Sequence, residues 1–237
     1  MARKKYNHSS DADLFLKQLN LKNQSQQFYA DMIEEMTVTF CVGPAGTGKT
    51  YIAAYYALKA LLIDKTIDKV ILTRPIVAVE DIGFLPGDMN EKIHPYILPL
   101  LDSIEAHIGS ARTKELITDG RLEIIPLAFM RGRSLNRALI LGDEMQNSTK
   151  EQIKMFLTRL GYNSKMVITG DVTQSDLPSH VTSGLAWAVD KLKGRVPEIG
   201  FTEFAMRDIV RNPLIGKMLQ HLEGPDDAPV TSRRTRS

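Results

Sequence analysis

Short, continuously apolar runs recur along the chain and alternate with segments of helical periodicity. Because hydrophobicity in these runs is continuous rather than alternating, each run predicts a strand that is buried on both faces. The predicted strands are residues 38–42, 70–73, 122–125, 139–141, 166–169 and, more weakly, 199–204. Helical patterns lie between them at 50–63, 150–160 and 183–192. The pattern therefore predicts an α/β fold with a mostly parallel sheet sandwiched by helices.

A longer insertion, residues 75–120, separates the second and third predicted strands. Glycines and prolines at 83–87 predict turns, and an apolar-periodic stretch that contains Pro95 and Pro99 follows them. Since proline lacks an N–H and clashes with the preceding helical turn, we expect a bent or broken helix there. Insertions at the carboxyl edge of an α/β sheet are common sites of substrate contact.

Composition fits one globular domain with a sizeable core, because the chain has 237 residues of which 43% are hydrophobic and 24% charged. We expect that domain to cover residues 21–223, after a partly disordered arm at 1–20 and before a disordered tail at 224–237. The single cysteine, Cys41, lies in a predicted strand, so a core role and a reducing cytoplasm are expected. No apolar run reaches the ~18 residues of a membrane span.

The loop after the first predicted strand has the pattern G-x-x-x-x-G-K-[ST] and opens a predicted helix, which is the context that a phosphate-binding loop requires. Glycines let the backbone N–H groups face a phosphate, and the helix N-terminus adds a positive dipole end. Lys49 would neutralise the β- and γ-phosphate oxygens, while Thr50 would ligate Mg²⁺. The expected cofactors are ATP and Mg²⁺, bound by Gly43, Pro44, Ala45, Gly46, Thr47, Gly48, Lys49 and Thr50.

Two acidic residues end the fourth predicted strand. Hydrolysis requires a carboxylate for the metal and a base for the attacking water, so Asp143 is the expected metal residue and Glu144 the expected general base. Asp171 and Gln174 follow the fifth predicted strand at the same sheet edge. They are candidates for sensing the γ-phosphate, with a simple turn and a solvated aspartate as the alternative.

The ordered motifs resemble those of the PhoH-like (phosphate-starvation-inducible) P-loop ATPases, a family whose core is similar to superfamily 1 helicase motors. The resemblance covers roughly residues 24–222. Besides the phosphate loop, it rests on T-R-P at 73–75, G-F-L-P-G-D at 83–88, F-M-R-G-R-S at 129–134, D-E-M-Q-N at 143–147, M-F-L-T-R-L-G at 155–161, G-D-V-T-Q-S-D-L-P at 170–178 and D-I-V-R-N-P-L at 208–214.

This resemblance implies a RecA-like P-loop fold, ATP hydrolysis and action on RNA or single-stranded DNA. It also implies a homo-oligomer, with a hexameric ring favoured, in which Arg211 or Arg207 acts as an arginine finger. Gln26 matches the glutamine that reads adenine, although Gln24 and Gln27 lie beside it. The compact length is similar to that of phage-encoded members, which would place the protein in the host cytoplasm.

Arginines near the predicted sheet edge leave the nature of an anionic partner open. Arg74, Arg131 and Arg133 are expected to converge there, because guanidinium forks suit phosphate. The phosphate would belong to ATP, which is why Arg133 is a nucleotide-binding candidate, or to nucleic acid; structural ion pairs are the third alternative. The net charge of +2 does not decide among them.

The residues favour an ATP-driven motor over two alternatives. A small-molecule phosphotransferase would use the same phosphate loop but would not need a water-activating glutamate such as Glu144. A nucleotide-dependent assembly switch would bind ATP without significant turnover. Glu144 and the candidate arginine fingers weigh against these two classes.

Overall fold

A computed structural model describes residues 16–76, 89–210, 214 and 218, and side chains are described from residue 95 onward in the second range. Six strands form one sheet: β1 (Val38–Val42), β2 (Lys69–Thr73), β3 (Leu122–Ile124), β4 (Ala138–Gly142), β5 (Lys165–Gly170) and β6 (Ile199–Glu203). Their order is β3-β2-β4-β5-β1-β6, and every pairing is parallel. The predicted parallel sheet is confirmed.

The described helices cover both faces of this sheet. They are α1 (Gln24–Glu35), α2 (Lys49–Leu58), α3 (Met89–Ile108), α4 (Ser110–Thr118), α5 (Lys150–Leu157) and α6 (Gly184–Leu192), and a π-helical turn at Lys59–Ile63 continues α2. Apolar residues of α1 to α4 pack on one face of the sheet, and those of α5 and α6 pack on the other. The architecture is a three-layer P-loop NTPase fold of the RecA-like class.

Of the two alternatives expected for the insertion helix, bent or broken, the break is wrong, since α3 runs through Pro95 and Pro99 as one helix. Each proline removes one N–H from the helical ladder. Both prolines are exposed and lie four residues apart, on the same face of the helix. Each proline therefore costs the helix one hydrogen bond without ending it.

The two ends of the predicted domain are described only in part. Leu16 and Leu19, from the predicted arm, are partly buried and pack against the core cluster on the α1-to-α4 face of the sheet. Residues 1–15, the turns predicted at 83–87 and the tail at 224–237 lie outside the described residues. None of the helices in the described part of the chain combines the length and apolar character needed to cross a bilayer.

The alignment of the strands positions the functional residues. Val38 of β1 is level with Met166 of β5, and Ile140 of β4 is level with the same residue. All six strands point the same way, so their carboxyl ends meet at one edge of the sheet. The loops that follow β1, β4 and β5 therefore begin side by side, and these loops hold the phosphate-loop motif, the acidic pair and the candidate sensor.

A buried histidine joins α2 to α3. The His107 ring lies 4.1 Å from the Tyr51 ring, and its Nε2 is 2.9 Å from the Tyr51 carbonyl oxygen, to which it donates in the neutral form. Nδ1 is buried and has no hydrogen-bond partner. Burial lowers the pKa of His107, because a second ring proton would find no acceptor.

Stability should therefore fall in mild acid. Because the folded pKa of His107 lies below the unfolded value of about 6.5, the unfolded chain binds more protons as the pH drops below that value. The melting temperature should decrease from about pH 6.5 downward, through the folded pKa. His107→Gln retains a donor for Tyr51 without titrating, so its melting temperature should vary less over this interval. Equal pH dependence in both proteins would contradict the assignment.

Candidate functional site

The loop between β1 and α2 is curled by glycines in conformations that other residues rarely adopt. Gly43 has φ 141° and Gly48, at the N-cap of α2, has φ 88°. A Cβ atom on Gly43 would lie 2.4 Å from the Phe204 carbonyl oxygen. Thr47 Oγ1 donates to the Pro44 carbonyl at 3.0 Å and closes the loop on itself. The sequence motif therefore has the backbone shape that it predicts.

Lys49 lies inside the curl of this loop. Its Nζ donates to the carbonyl oxygens of Gly43 and Pro44, at 2.7 and 2.8 Å, and the residue is 9% exposed. Burial lowers the pKa of the Lys49 amine, while the nearby Glu144 and Asp171 act in the opposite direction. The amine is positioned where the loop backbone would surround a phosphate group.

Asp143 is held by two hydroxyl groups from different elements. Thr50 Oγ1 of α2 and Thr169 Oγ1 of β5 both donate to Asp143 Oδ1, at 2.7 and 2.5 Å. Asp143 is 5% exposed. The structure thus brings Thr50 together with Asp143, as predicted, and adds Thr169, which the sequence analysis placed only at the end of a strand.

The Thr50 hydroxyl and the Asp143 carboxylate are suitable oxygen ligands for Mg²⁺. A magnesium ion prefers oxygen ligands and commonly takes one or two from the protein and the rest from water and phosphates. Thr50 and Asp143 supply a hydroxyl and a carboxylate at one point beside the phosphate loop. Among the described residues, no group of three or more His, Cys, Asp or Glu side chains could hold a metal without such help. Thr50 and Asp143 would therefore bind the metal together with a nucleotide.

Glu144 follows directly and has an unusual backbone. Its φ of 51° and ψ of 36° lie in the left-handed region, which costs a non-glycine residue about 1 kcal/mol or more. Arg74 Nη2 lies 3.3 Å from Glu144 Oε1, and Gln146 Nε2 donates to Glu144 Oε2 at 2.5 Å. The strained backbone and the two partners direct the carboxylate toward the edge of the sheet.

Gly142, which ends β4 directly before the acidic pair, is explained by packing. A Cβ at Gly142 would lie 2.8 Å from Phe156 Cζ and 3.2 Å from Met145 Sδ. Both Phe156 and Met145 are fully buried. The Phe156 ring of α5 fills the space that a side chain at residue 142 would occupy, so glycine is the residue that fits directly before the acidic pair.

The candidate sensor residues differ in burial. Asp171 is 6% exposed, and its Oδ1 accepts hydrogen bonds from Thr173 N and Thr173 Oγ1 at 3.0 and 2.6 Å. Asp171 Oδ2 is buried without a hydrogen-bond partner. Gln174 is exposed, and its backbone N–H donates to the Asp171 carbonyl at 3.1 Å. Asp171 is thus part of the buried edge, whereas the side chain of Gln174 lies at the surface of the loop.

Gln26 contacts the phosphate loop. Its Nε2 donates to the Thr47 carbonyl at 2.9 Å, and its Oε1 accepts from Lys22 N at 2.7 Å. Gln26 is 3% exposed, whereas Gln24 and Gln27 are exposed. Of the three glutamines, Gln26 is therefore the one that connects α1 to the phosphate loop. Its role in reading adenine stays a prediction.

The predicted arginines have separate partners. Arg74 meets Glu144, whereas Arg133 Nη2 donates to Glu123 Oε2 on β3 at 2.8 Å, and Arg131 is exposed. Burial opposes ionisation of Glu123, yet hydrogen bonds from Lys69 and Arg133 lower its pKa overall. These contacts match the structural ion pair that was one alternative for Arg133, and its nucleotide role stays a prediction.

One of the two candidate arginine fingers lies near the phosphate loop of its own chain. Arg207 is exposed in a 3-10 turn, Met206–Asp208, and two residues later Val210 N donates to the Gly46 carbonyl at 3.0 Å. Arg211 lies outside the described residues. The segment after β6 therefore borders the loop at Val210, and Arg207 is an exposed residue of that segment.

The sequence is similar to a defined family. The profile of the PhoH-like protein family matches residues 18–223. The chain is 48% identical to the PhoH-like protein of Bacillus subtilis, over 86% of this chain and 64% of that protein. It is 42% identical to Protein PhoH of Escherichia coli K12, over 84% of this chain and 56% of that protein. The chain thus spans less than two thirds of the length of these relatives.

Among solved structures, the large terminase of a thermophilic bacteriophage aligns with 84% of this chain and 50% of its own, at 10% identity and a TM-score of 0.49. The Bacteroides Pif1 structure bound to single-stranded DNA aligns with 86% of this chain and 46% of its own, at 14% identity and a TM-score of 0.38.

Proposed function

Since this chain belongs to the PhoH-like protein family, we propose that it binds ATP with magnesium on the Gly43–Thr50 loop and hydrolyses it as a motor core acting on RNA or single-stranded DNA. The observation that carries the proposal is the joining of the loop to the acidic pair. Thr50 and Asp143 are hydrogen-bonded at 2.7 Å across 93 positions of sequence, and Glu144 stands next to them. The residues proposed to bind the phosphates, the metal and the water therefore lie at one edge of the sheet.

In the proposed reaction, Lys49 and the loop N–H groups bind the β- and γ-phosphates. Bound by Thr50 and Asp143, magnesium would neutralise charge on the phosphate oxygens. Glu144 accepts a proton from water as the water oxygen bonds to the γ-phosphorus and the bond to the β–γ bridging oxygen breaks, which yields ADP and inorganic phosphate. Asp171 and Gln174, on the loop after β5, would respond to loss of the γ-phosphate.

The ring and the nucleic-acid substrate extend this proposal beyond the site. The exposed Arg207, beside the phosphate loop, is available to a neighbouring subunit. Arg211 is the other candidate finger in the same segment. The arginine that completes a neighbour's site would stabilise charge on the transferred phosphoryl group. Assembly into a ring would therefore be needed for full activity.

Phosphate release with and without nucleic acid tests the proposal. We expect release from ATP and magnesium to increase several-fold with RNA or single-stranded DNA and less with a duplex, and the same sample to elute as an oligomer from a sizing column. An ATP turnover rate that is unchanged by every nucleic acid but rises with a small-molecule acceptor would indicate a phosphotransferase. Binding of ATP that changes the elution volume without phosphate release would indicate an assembly switch.

A further inference from the structure

One buried amide side chain, Gln146, joins Glu144 to the end of β5. Its Oε1 accepts from the backbone N–H of Asp171 at 3.1 Å, and its Nε2 donates to Glu144 Oε2 at 2.5 Å. Because the Asp171 N–H can only donate, it must face the amide oxygen, which leaves the NH₂ group toward the carboxylate. Gln146 is 3% exposed, so its bond to the Asp171 N–H is buried, while its bond to the Glu144 carboxylate is partly buried.

The end of β5 has space for this amide only because residue 170 is glycine. A Cβ atom at Gly170 would lie 2.5 Å from Gln146 Oε1 and also 2.5 Å from Leu185 Cδ2, so the glycine leaves room for both the amide and the α6 side chain. Gly170 is not among the glycines with positive φ, so its backbone conformation does not account for the residue. The missing side chain at Gly170 and the bound amide of Gln146 are therefore complementary parts of one arrangement.

A second pair of residues links the same two segments, and its side-chain hydrogen bonds do not involve the Glu144 carboxylate. Asn147 Nδ2 donates to Asp176 Oδ2 at 3.0 Å, and Asp176 N donates to Asn147 Oδ1 at 2.8 Å. Asn147 is 9% exposed. The turn after Glu144 is thus attached to the loop after β5 by Asn147, and the contact of Gln146 with the carboxylate is an additional feature.

We propose that Gln146 is a positioning residue for hydrolysis, which orients the Glu144 carboxylate toward the attacking water and fixes that orientation relative to the carboxyl end of β5. The inference rests on the proposed function. Arg74 approaches the other carboxylate oxygen at 3.3 Å, so each oxygen of Glu144 has one partner in this orientation. A base misplaced by about 1 Å can lose about 100-fold in rate, which makes such orientation consequential.

The test compares steady-state ATP hydrolysis by Gln146→Met with that by the wild-type protein and by Asn147→Ala. The methionine side chain would fill similar volume without a donor for Glu144, so kcat should fall about 10-fold to 100-fold while the KM for ATP changes little. Asn147→Ala removes the parallel attachment and serves as the structural comparator, with a much smaller loss of kcat. Gln146→Glu keeps the acceptor for Asp171 N–H and the length of the side chain but places a second carboxyl group against Glu144. Two carboxyl groups this close share a proton, which weakens Glu144 as a base, so kcat should also fall.

A double-mutant cycle distinguishes orientation of the base from general loosening. In a Glu144→Gln background, Gln146→Met should lower the single-turnover rate little further, because its effect acts through a carboxylate that is already gone. Equal kcat in the wild type, Gln146→Met and Gln146→Glu would overturn the inference, as would additive losses in the cycle or equal losses in Asn147→Ala. A wild-type protein without any hydrolysis would instead overturn the proposed function itself.

Discussion

Replacing Lys49 with alanine is expected to raise the Kd for ATP by about 100-fold or more. Each hydrogen bond between the ammonium group and a phosphate oxygen contributes about 1.5–3 kcal/mol, and Lys49 would make two of them. In the structure, Nζ already lies between the carbonyl oxygens of Gly43 and Pro44, within the curl of the loop. The amine therefore needs only a short movement to reach the phosphates.

The loss of binding should occur in a folded protein. Burial of Lys49 disfavours its charged form, and alanine removes that cost together with the two bonds to loop carbonyls. The shape of the loop depends on other features, such as the Thr47 bond to the Pro44 carbonyl. Lys49→Ala should therefore unfold cooperatively at a temperature near that of the wild type.

Binding of a fluorescent ATP analogue and the shift in melting temperature with ATP and magnesium measure this effect. Lys59→Ala is a matched control, because Lys59 continues the same helix but pairs with Glu34 far from the loop. Wild type and control should be stabilised by the nucleotide, and Lys49→Ala should not. Retention of near wild-type affinity by Lys49→Ala would remove Lys49 from the nucleotide site.

The strands were predictable because burial on both faces leaves a local trace in the sequence. All five residues of β1 and of β4 are buried, so continuous apolar runs identified them within one or two residues. The boundaries of β5 were missed by one residue at each end, at Lys165 and Gly170. Neither lysine nor glycine looks like a strand residue, yet ladder pairing extends the strand through both.

Two helices have a weaker hydrophobic pattern in the sequence. No helix was predicted at α1, which holds Gln26, because its sequence is rich in polar residues and its core contacts come from few positions, among them Tyr29 and Ile33. Nor was one predicted at α4, in the insertion, where Thr113 and Leu116 are the buried residues. Helix periodicity is unclear when so few positions face the core, and tertiary packing then decides the structure.

The site was predictable where one contiguous segment forms it. The phosphate loop is such a segment, and the acidic pair follows a recognisable strand. Two hydrogen bonds of the site depend on the register between β4 and β5, which no local sequence pattern encodes. They are the bond from Thr169 to Asp143 and the bond from the Asp171 N–H to Gln146. The D-E-M-Q-N motif did contain a signal for Gln146, since a long amide beside the acidic pair is suited to bridging two polar groups.

Replacing Glu144 with glutamine is expected to lower kcat for ATP hydrolysis by about 10²-fold to 10⁴-fold while ATP binding is retained. Glutamine fits the same left-handed backbone position and still offers an oxygen to Gln146 Nε2, so the turn should keep its shape. It cannot accept a proton from water. Lys49, Thr50 and Asp143 remain, so phosphates and metal keep their ligands.

The variant should therefore separate binding from hydrolysis. The Kd for ATP and the stabilisation by nucleotide should remain close to those of the wild type, whereas phosphate release should fall to near background. Glu151 is an exposed carboxylate in the first turn of α5, so Glu151→Gln controls for the loss of a negative charge close by in the chain and should hydrolyse ATP normally.

Because Glu144 also pairs with Arg74, a parallel Arg74→Gln variant is informative. It loses the ion pair but keeps the base, so it should retain much more turnover than Glu144→Gln. Normal phosphate release from Glu144→Gln would mean that another group activates the water, and the carboxylate would then serve only to hold Arg74 at the edge of the sheet.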